Sequence, residues 1–245
     1  MKRAILSLSI ILMLLLSISA CSTAPAAQSG LKVAASTTTV GDVVKQVGGD
    51  KIDLTVLFPV GADPHTFEPR PQDAAAIADA SVIFLNGLEL EHSLEPLIDS
   101  NATGTVKAVS DGITPLQFST SAAESGTDHS HAAGDPHTWM DPNLVMVWTA
   151  NIRDTLSTAD PANAATYSAN ADQYLAQLTE LDAWIQSEVA KIPEADRKIV
   201  TDHESLGYFI QRYGFTLAGL VVDSLSTGAS PSAQELAQLE EVRKS

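Results

Sequence analysis

Six histidines occur among the 245 residues, and three stand where a cation could be held. His65 follows Asp63-Pro64 and precedes Thr66-Phe67-Glu68, while His137 follows Asp135-Pro136 and precedes Thr138-Trp139. Asp-Pro-His-Thr followed by an aromatic thus occurs twice. In each copy the proline fixes φ and stiffens the chain ahead of the histidine, which limits the entropy lost when the imidazole is held in place. His203, in Thr201-Asp202-His203-Glu204, directly follows a run that reads as a strand. Loops at the carboxyl ends of parallel strands are where open α/β sheets bind ligands. Imidazole suits zinc, copper, iron and nickel, and three histidines leave room for a carboxylate or water as fourth ligand. One histidine alone serves equally well on a surface or in a capped turn. The repeated tetrapeptide and the strand-end placement of His203 argue for joint action. Ligands this far apart in the chain suit a site between two lobes, since zinc fingers space theirs tightly.

The remaining chemical groups are less pointed. His129 and His131 lie in Asp128-His129-Ser130-His131, inside a polar stretch from 117 to 134. They read either as a secondary, low-affinity metal-collecting loop or as two incidental histidines in a solvated one. His92 reads as an exposed helix residue. Glu68 and Glu204 flank the first and third histidines and could orient imidazoles by accepting hydrogen bonds, although solvated carboxylates are the commoner case. A zinc hydrolase would need a general base beside an open metal position. His203-Glu204 begins such a motif, but Gly207 stands four residues after His203, so HExxH fails. Neither a Gly-x-Ser-x-Gly elbow nor a phosphate-cradling glycine loop is present, and the chain reads as a binder rather than an enzyme.

Short strands and helices must position the histidines. Residues 31–36, 52–58 and 81–85 read as strands, with helices over 39–47 and 71–80 between them. The continuous apolar run Ser81-Val82-Ile83-Phe84-Leu85 suits a strand buried on both faces. This alternation predicts βαβ units and a parallel sheet. Residues 142–156 return to helical periodicity. Asp160-Pro161 then opens a long helix, Asp160 as N-cap and Pro161 in the first helical position, with Tyr174, Leu178, Leu181, Ile185 and Val189 on one face. A second βα pattern follows, with strands over 198–201 and 216–222, a helix over 206–213 and another opened by Ser230-Pro231-Ser232. Two strands are few for a covered sheet, and no capping signal precedes Ser245. The expectation is a C-terminal lobe that is incomplete in this chain.

Compartment is read from the amino terminus. Lys2 and Arg3 precede an apolar stretch from Ala4 to Ile18, and small residues lead into Cys21, the single cysteine. This is the pattern of a signal peptide over residues 1–20 ending at a bacterial lipobox, an uncleaved anchor being the alternative. A lone cysteine excludes an internal disulfide, and a diacylglyceryl thioether on Cys21 accounts for it. Residues 21–30 then form a lipid-anchored tether. The net charge of −16 becomes two units more negative without Lys2 and Arg3. Such an acidic body is repelled by phosphate backbones, which excludes nucleic acid as a partner class.

Together these pieces resemble the metal-binding receptors of ABC transporters for zinc and manganese, the zinc-uptake and metal-adhesin lipoprotein family. The resemblance is carried by the lipobox, Asp63-Pro64-His65-Thr66-Phe67-Glu68, Asn86-Gly87-Leu88, Asp135-Pro136-His137-Thr138-Trp139-Met140-Asp141-Pro142, the long helix and His203 with Gly207-Tyr208-Phe209. Ser226-Thr227-Gly228 followed by Ser230-Pro231-Ser232 adds to it. It implies an α/β fold of two βα lobes with parallel sheets: residues 31–158 as the N-terminal lobe, 159–193 as one rigid linking helix and 194–245 as part of the C-terminal lobe. It further implies His65, His137 and His203 as ligands, with a fourth, acidic ligand beyond Ser245. Histidine at the third position tilts the family choice toward Zn2+, with Mn2+ or iron as the alternative cargo. The implied partners are an ABC permease and its ATPase, with the receptor monomeric and extracytoplasmic. A surface adhesin is the reading from a different class.

Overall fold

The computed structural model describes residues 30–117, 134–222, 227, 230–231 and 233–242. The residues read as signal peptide and most of the tether, the His129/His131 loop and Ser232 lie outside the described residues.

Strand β1 (Leu31–Ala35) pairs in parallel with β2 (Ile52–Val56) and with β3 (Val82–Leu85), and β3 pairs in parallel with β4 (Thr105–Ala108), giving the order β2-β1-β3-β4. Alternation along the central strands sends side chains to two separate cores. Val33, Ala35, Val82 and Phe84 enter one, whereas Ala34 and Ile83 enter the other. Val82, Ile83 and Phe84 are all fully buried, as the continuous apolar run predicts for a strand covered on both faces.

The first core is closed by α1 (Thr38–Gly48), α4 (Pro142–Ala159) and the amino-terminal half of α5 (Ala164–Val189). Thr37 caps α1 by accepting the amide proton of Val40, and Val40, Val43, Val44 and Val47 face inward. The second core lies under α2 (Pro71–Asp79) and α3 (Glu95–Asn101) and contains Leu57, Phe58, Ile77, Leu94 and Ile98. Strand β4 was not expected from sequence, and of the region leading into α3 only His92 was read as helical. The edge strand β4 is exposed at Thr105 and Val106, part-buried at Lys107 and Ala108 and shows no alternation, and α3 is seven residues long with a single buried side chain, Ile98. His92 is exposed as expected, but it sits in a 3-10 turn (His92–Leu94).

Helix α5 has 26 residues and is about 39 Å long at ~1.5 Å per residue. Asp160 and Pro161 take the N-cap and first helical positions expected of them, but at a 3-10 turn. Pro161–Asn163 form a 3-10 turn ahead of it, and Asp160 makes no side-chain cap. The Asp160 carboxylate instead accepts from Asn163 Nδ2 at 2.6 Å and from the hydroxyl of the buried Tyr167 at 2.8 Å. The buried face of α5 is interrupted, although Val189 at the far end is buried again. Tyr167, Ala171 and Leu178 lie in the first core, but Leu181 and Trp184 are 43% and 59% exposed. Beyond Leu178 the helix leaves the first sheet's cover and meets the second unit, where Asp182 accepts from Arg212 Nη2 at 3.0 Å and Tyr213 Oη at 2.9 Å.

That second unit contains parallel β5 (Lys198–Thr201) and β6 (Thr216–Leu220), with α6 (Gly207–Tyr213) between them and α7 (Ala233–Val242) packed on β6. Gly214, at φ 70°, ends α6 in the left-handed conformation that glycine adopts without strain. The α/β class, the parallel sheets and the long helix therefore stand as the sequence implied.

Candidate metal centre

Three loops at carboxyl ends of strands converge. His65 is carried by the loop after β2, His137 by the segment between β4 and α4, and His203 by the loop after β5. Their ligand-capable atoms all lie within 4.8 Å of one another. Nε2 of His137 is 3.3 Å from Nε2 of His65 and 3.4 Å from Nε2 of His203. The ring centroids are 5.2–5.6 Å apart, and each pair is inclined. An ion held tetrahedrally at about 2.0–2.1 Å from nitrogen places its ligands roughly 3.3–3.4 Å apart. The spacing therefore fits a shared cation.

Each histidine is fixed by the aspartate just before it. Asp63 Oδ1 accepts the backbone N–H of His65 at 2.9 Å, and Asp135 Oδ1 accepts that of His137 at 2.8 Å. These are side-chain-closed turns, in which a short carboxylate reaches the amide two residues on. Asp202 Oδ1 accepts the amide of His203 at 2.9 Å. Two of these carboxylates also take the ring proton. Nδ1 of His137 donates to Asp135 at 2.8 Å and Nδ1 of His203 donates to Asp202 at 3.0 Å. With the proton on Nδ1, the lone pair of each Nε2 points inward. Two lone pairs facing each other at 3.4 Å repel unless positive charge lies between them. A divalent ion between the rings would supply that charge.

The expected orienting carboxylates were Glu68 and Glu204. The rings of His137 and His203 are held by Asp135 and Asp202, because an acid one or two residues ahead can close on both the amide and the ring. Glu68 is exposed and Glu204 half-buried. Sequence reading passed over these aspartates although their signal was present: every one of the three histidines has an aspartate at one or two positions before it.

The walls of the site differ in character. His137 is 1% exposed, while His65 and His203 are partly open. The Trp139 ring lies 5.1 Å from that of His137, and Trp148 Nε1 donates to Thr138 Oγ1 at 3.2 Å, which ties this loop to the first core. Phe67 stacks on Phe58 at 4.2 Å, and Arg70 grips Asp73 with two nitrogens, so the His65 loop returns to the sheet on fixed contacts. Thr227 donates to Asp63 Oδ2, a contact between the second unit and the first histidine loop. Tyr208 of α6 donates to the Asp135 carbonyl at 2.6 Å and accepts from the Leu116 amide at 3.2 Å. The Tyr208 hydroxyl pKa is pushed up to about 12, chiefly by burial, so the hydroxyl remains a donor. Asp202 is held below the usual carboxylate range: burial raises its pKa, but hydrogen bonds from the backbone and ring of His203 outweigh this.

A second acid lies deeper. Glu91 is 3% exposed and accepts from Ser36 Oγ at 2.5 Å, Asn86 N at 2.6 Å and Gly87 N at 3.1 Å. Burial raises its pKa more than these bonds lower it. A carboxyl whose folded pKa is raised binds its proton more firmly in the fold than in the unfolded chain. Its contribution to stability is therefore complete below the unfolded pKa, near ~4.3, and declines as pH rises through the folded value. The Glu91→Gln variant should lose stability less steeply than the parent as pH rises from about 4.5 to 7, a difference measurable by urea unfolding at a series of pH values.

Comparison with known proteins bears on what the site holds. The family model for ZnuA, zinc-uptake complex component A, periplasmic, matches residues 33–245. The manganese-binding lipoprotein MntA of Halalkalibacterium halodurans is 38% identical over 191 residues, which cover 78% of this chain and 60% of MntA. The iron ABC transporter substrate-binding lipoprotein MtsA of Streptococcus pyogenes is 36% identical over 208 residues, covering 82% of this chain and 65% of MtsA. The chain thus spans somewhat under two thirds of the length of these relatives. The crystal structure of ZnuA superposes with a TM-score of 0.76 at 29% identity, covering 88% of this chain and 78% of that one. The Mn-bound periplasmic metal-binding protein of Candidatus Liberibacter asiaticus superposes at 0.71 with 27% identity, covering 86% and 76%.

Proposed function

Because the chain belongs to the family of zinc-uptake complex component A, we propose that it is an extracytoplasmic receptor that captures a divalent transition metal on His65, His137 and His203 for an ABC-type uptake transporter. The observation that carries this reading is the convergence of three ligand-capable nitrogens within 4.8 Å of one another, with Nε2 of His137 3.3 Å from that of His65 and 3.4 Å from that of His203 and two lone pairs turned inward by Asp135 and Asp202. The metal is cargo: neutral imidazoles hold it, and loops from two sheets surround it. Names of relatives, among them a manganese-binding lipoprotein and a substrate-binding lipoprotein for iron, support the receptor role and the lipid anchor read at Cys21. No described helix is long and apolar enough to cross a membrane. The partners on this reading are a permease, its ATPase and the membrane to which Cys21 is attached, with the receptor itself a monomer.

Zinc is the cargo we favour. Three nitrogen donors suit a borderline-soft ion with tetrahedral preference better than manganese, which prefers carboxylate, carbonyl and water. A manganese or iron receptor is the second reading, favoured by the names of those relatives. Metal-stripped chain equilibrated with equal Zn2+, Mn2+ and Fe2+ under anaerobic conditions should retain one zinc per chain by elemental analysis. Retention of manganese or iron in its place moves the choice to the second reading. Retention of none of the three overturns the receptor assignment and reopens the adhesin alternative.

A further inference from the structure

We propose that Asn86 is a positioning residue for His137, acting through the carbonyl of Pro136, and that the buried Glu91 carboxylate holds Asn86 in that pose. The inference rests on the metal-receptor reading and deepens it. In the strand order β2-β1-β3-β4, β1 and β3 are neighbours whose onward connections diverge, and that crevice is where doubly wound sheets take a ligand. Here the Glu91 carboxylate fills it. One oxygen accepts from Ser36 at the end of β1 and from the Asn86 amide at the end of β3, and the other accepts from the Gly87 amide. The chain arrives there through Gly87, Leu88 and Glu89, at φ 85°, 56° and 62°. Two consecutive non-glycine residues with left-handed backbone are uncommon, and such backbone persists only where its surroundings over-determine it. The Glu91 hydrogen bonds to both ends of this crevice are that determination.

The turn aims one group at the metal loop. Asn86 is fully buried, and its Nδ2 donates to the Gly87 carbonyl at 2.9 Å and to the Pro136 carbonyl at 3.0 Å. Both partners are acceptors only, so the amide orientation is fixed. Its Oδ1 is buried with no donor among the described residues, a cost that an apolar side chain would not carry. The peptide gripped in this way leads directly into His137. The same segment is held from the second unit by Tyr208, which donates to the Asp135 carbonyl. His137 is thereby suspended between the end of β3 and α6, and a displaced Pro136 carbonyl shifts the Nε2 atom that both other histidines share.

The test compares Asn86→Asp, which sets an oxygen against the Pro136 carbonyl at nearly constant volume, with Glu91→Gln and with Ile98→Ala, which loosens the chain from the opposite core. Each is made in the full chain. The readouts are the melting temperature of the metal-free protein, the Zn2+ dissociation rate into a chelator and the d–d absorption bands of bound Co2+. Asn86→Asp should release Zn2+ about 10- to 100-fold faster, the range for losing an outer partner of a ligand, and should shift the Co2+ bands. Glu91→Gln should move both in the same direction by less, and Ile98→Ala should lower the melting temperature while leaving both unchanged. Unchanged bands and rates in Asn86→Asp and Glu91→Gln overturn the proposal. So do shifts of equal size in Ile98→Ala, which would mark general loosening. If the unsubstituted chain binds neither ion, the receptor reading itself falls, and the positioning role with it.

Discussion

Replacing His137 by alanine is expected to abolish specific metal binding. His137 is the shared vertex of the three imidazoles, 3.3 Å from His65 and 3.4 Å from His203, and is the most buried of them. Without it the other two rings face a gap open to water and lose the ligand that fixes their common centre. Affinity should drop by more than the ~10- to 100-fold that removal of an outer partner costs. The drop is readable as stability, since a ligand that binds only the folded chain adds about 4.1 kcal/mol when present at ~1,000 times its Kd. The melting temperature of the parent should therefore rise on adding Zn2+, and that of His137→Ala should not. Measured in chelator, the variant should still unfold cooperatively, because the first core is closed by Trp148, Ile152, Leu156 and Tyr167, none of which is a ligand. Zinc stoichiometry and affinity left intact in His137→Ala by titration calorimetry would place the metal elsewhere.

Much of this site was legible in the sequence, and the rest was hidden for definite reasons. The repeated Asp-Pro-His-Thr and the strand before His203 were enough to choose the three histidines that converge. Strand β3 was legible because a run buried on both faces has no competing reading at that length. What stayed hidden depends on contacts distant in sequence. Strand β4 sits at an edge with little burial, so its residues carry no periodic signal. Asp160 reads as a cap by residue type, yet the buried Tyr167 hydroxyl and the Asn163 amide claim its carboxylate. The exposed stretch of α5 at Leu181 and Trp184 has the spacing of a core face, but the first sheet does not extend beneath it. Asn86 and Tyr208 bear on the site only because the fold brings them to Pro136 and Asp135, 50 and 73 residues away along the chain.

The two carboxylates that orient imidazoles should differ sharply in what they contribute, and Asp135 is the one that matters. Both accept from a ring Nδ1 and from the backbone amide of their histidine. Their surroundings are opposite: the Asp135 side chain is 3% exposed and that of Asp202 is 72% exposed. In water a charge beside an imidazole is screened, and exposed ion pairs contribute about 0–1 kcal/mol. Screening is far weaker in the interior, where the Asp135 charge stabilises a cation held by the His137 ring. Asparagine is nearly isosteric with aspartate and keeps one oxygen for the Nδ1 proton, so substitution removes charge with little change of shape. Asp135→Asn should weaken Zn2+ binding about 10- to 100-fold, whereas Asp202→Asn should weaken it by no more than about 5-fold, the equivalent of ~1 kcal/mol. Parallel chelator competition on the two variants reads this ratio directly. Equal losses would mean that orientation by the hydrogen bond, common to both aspartates, outweighs charge. A larger loss at Asp202 would contradict the burial argument and shift the weight of the site toward the second unit.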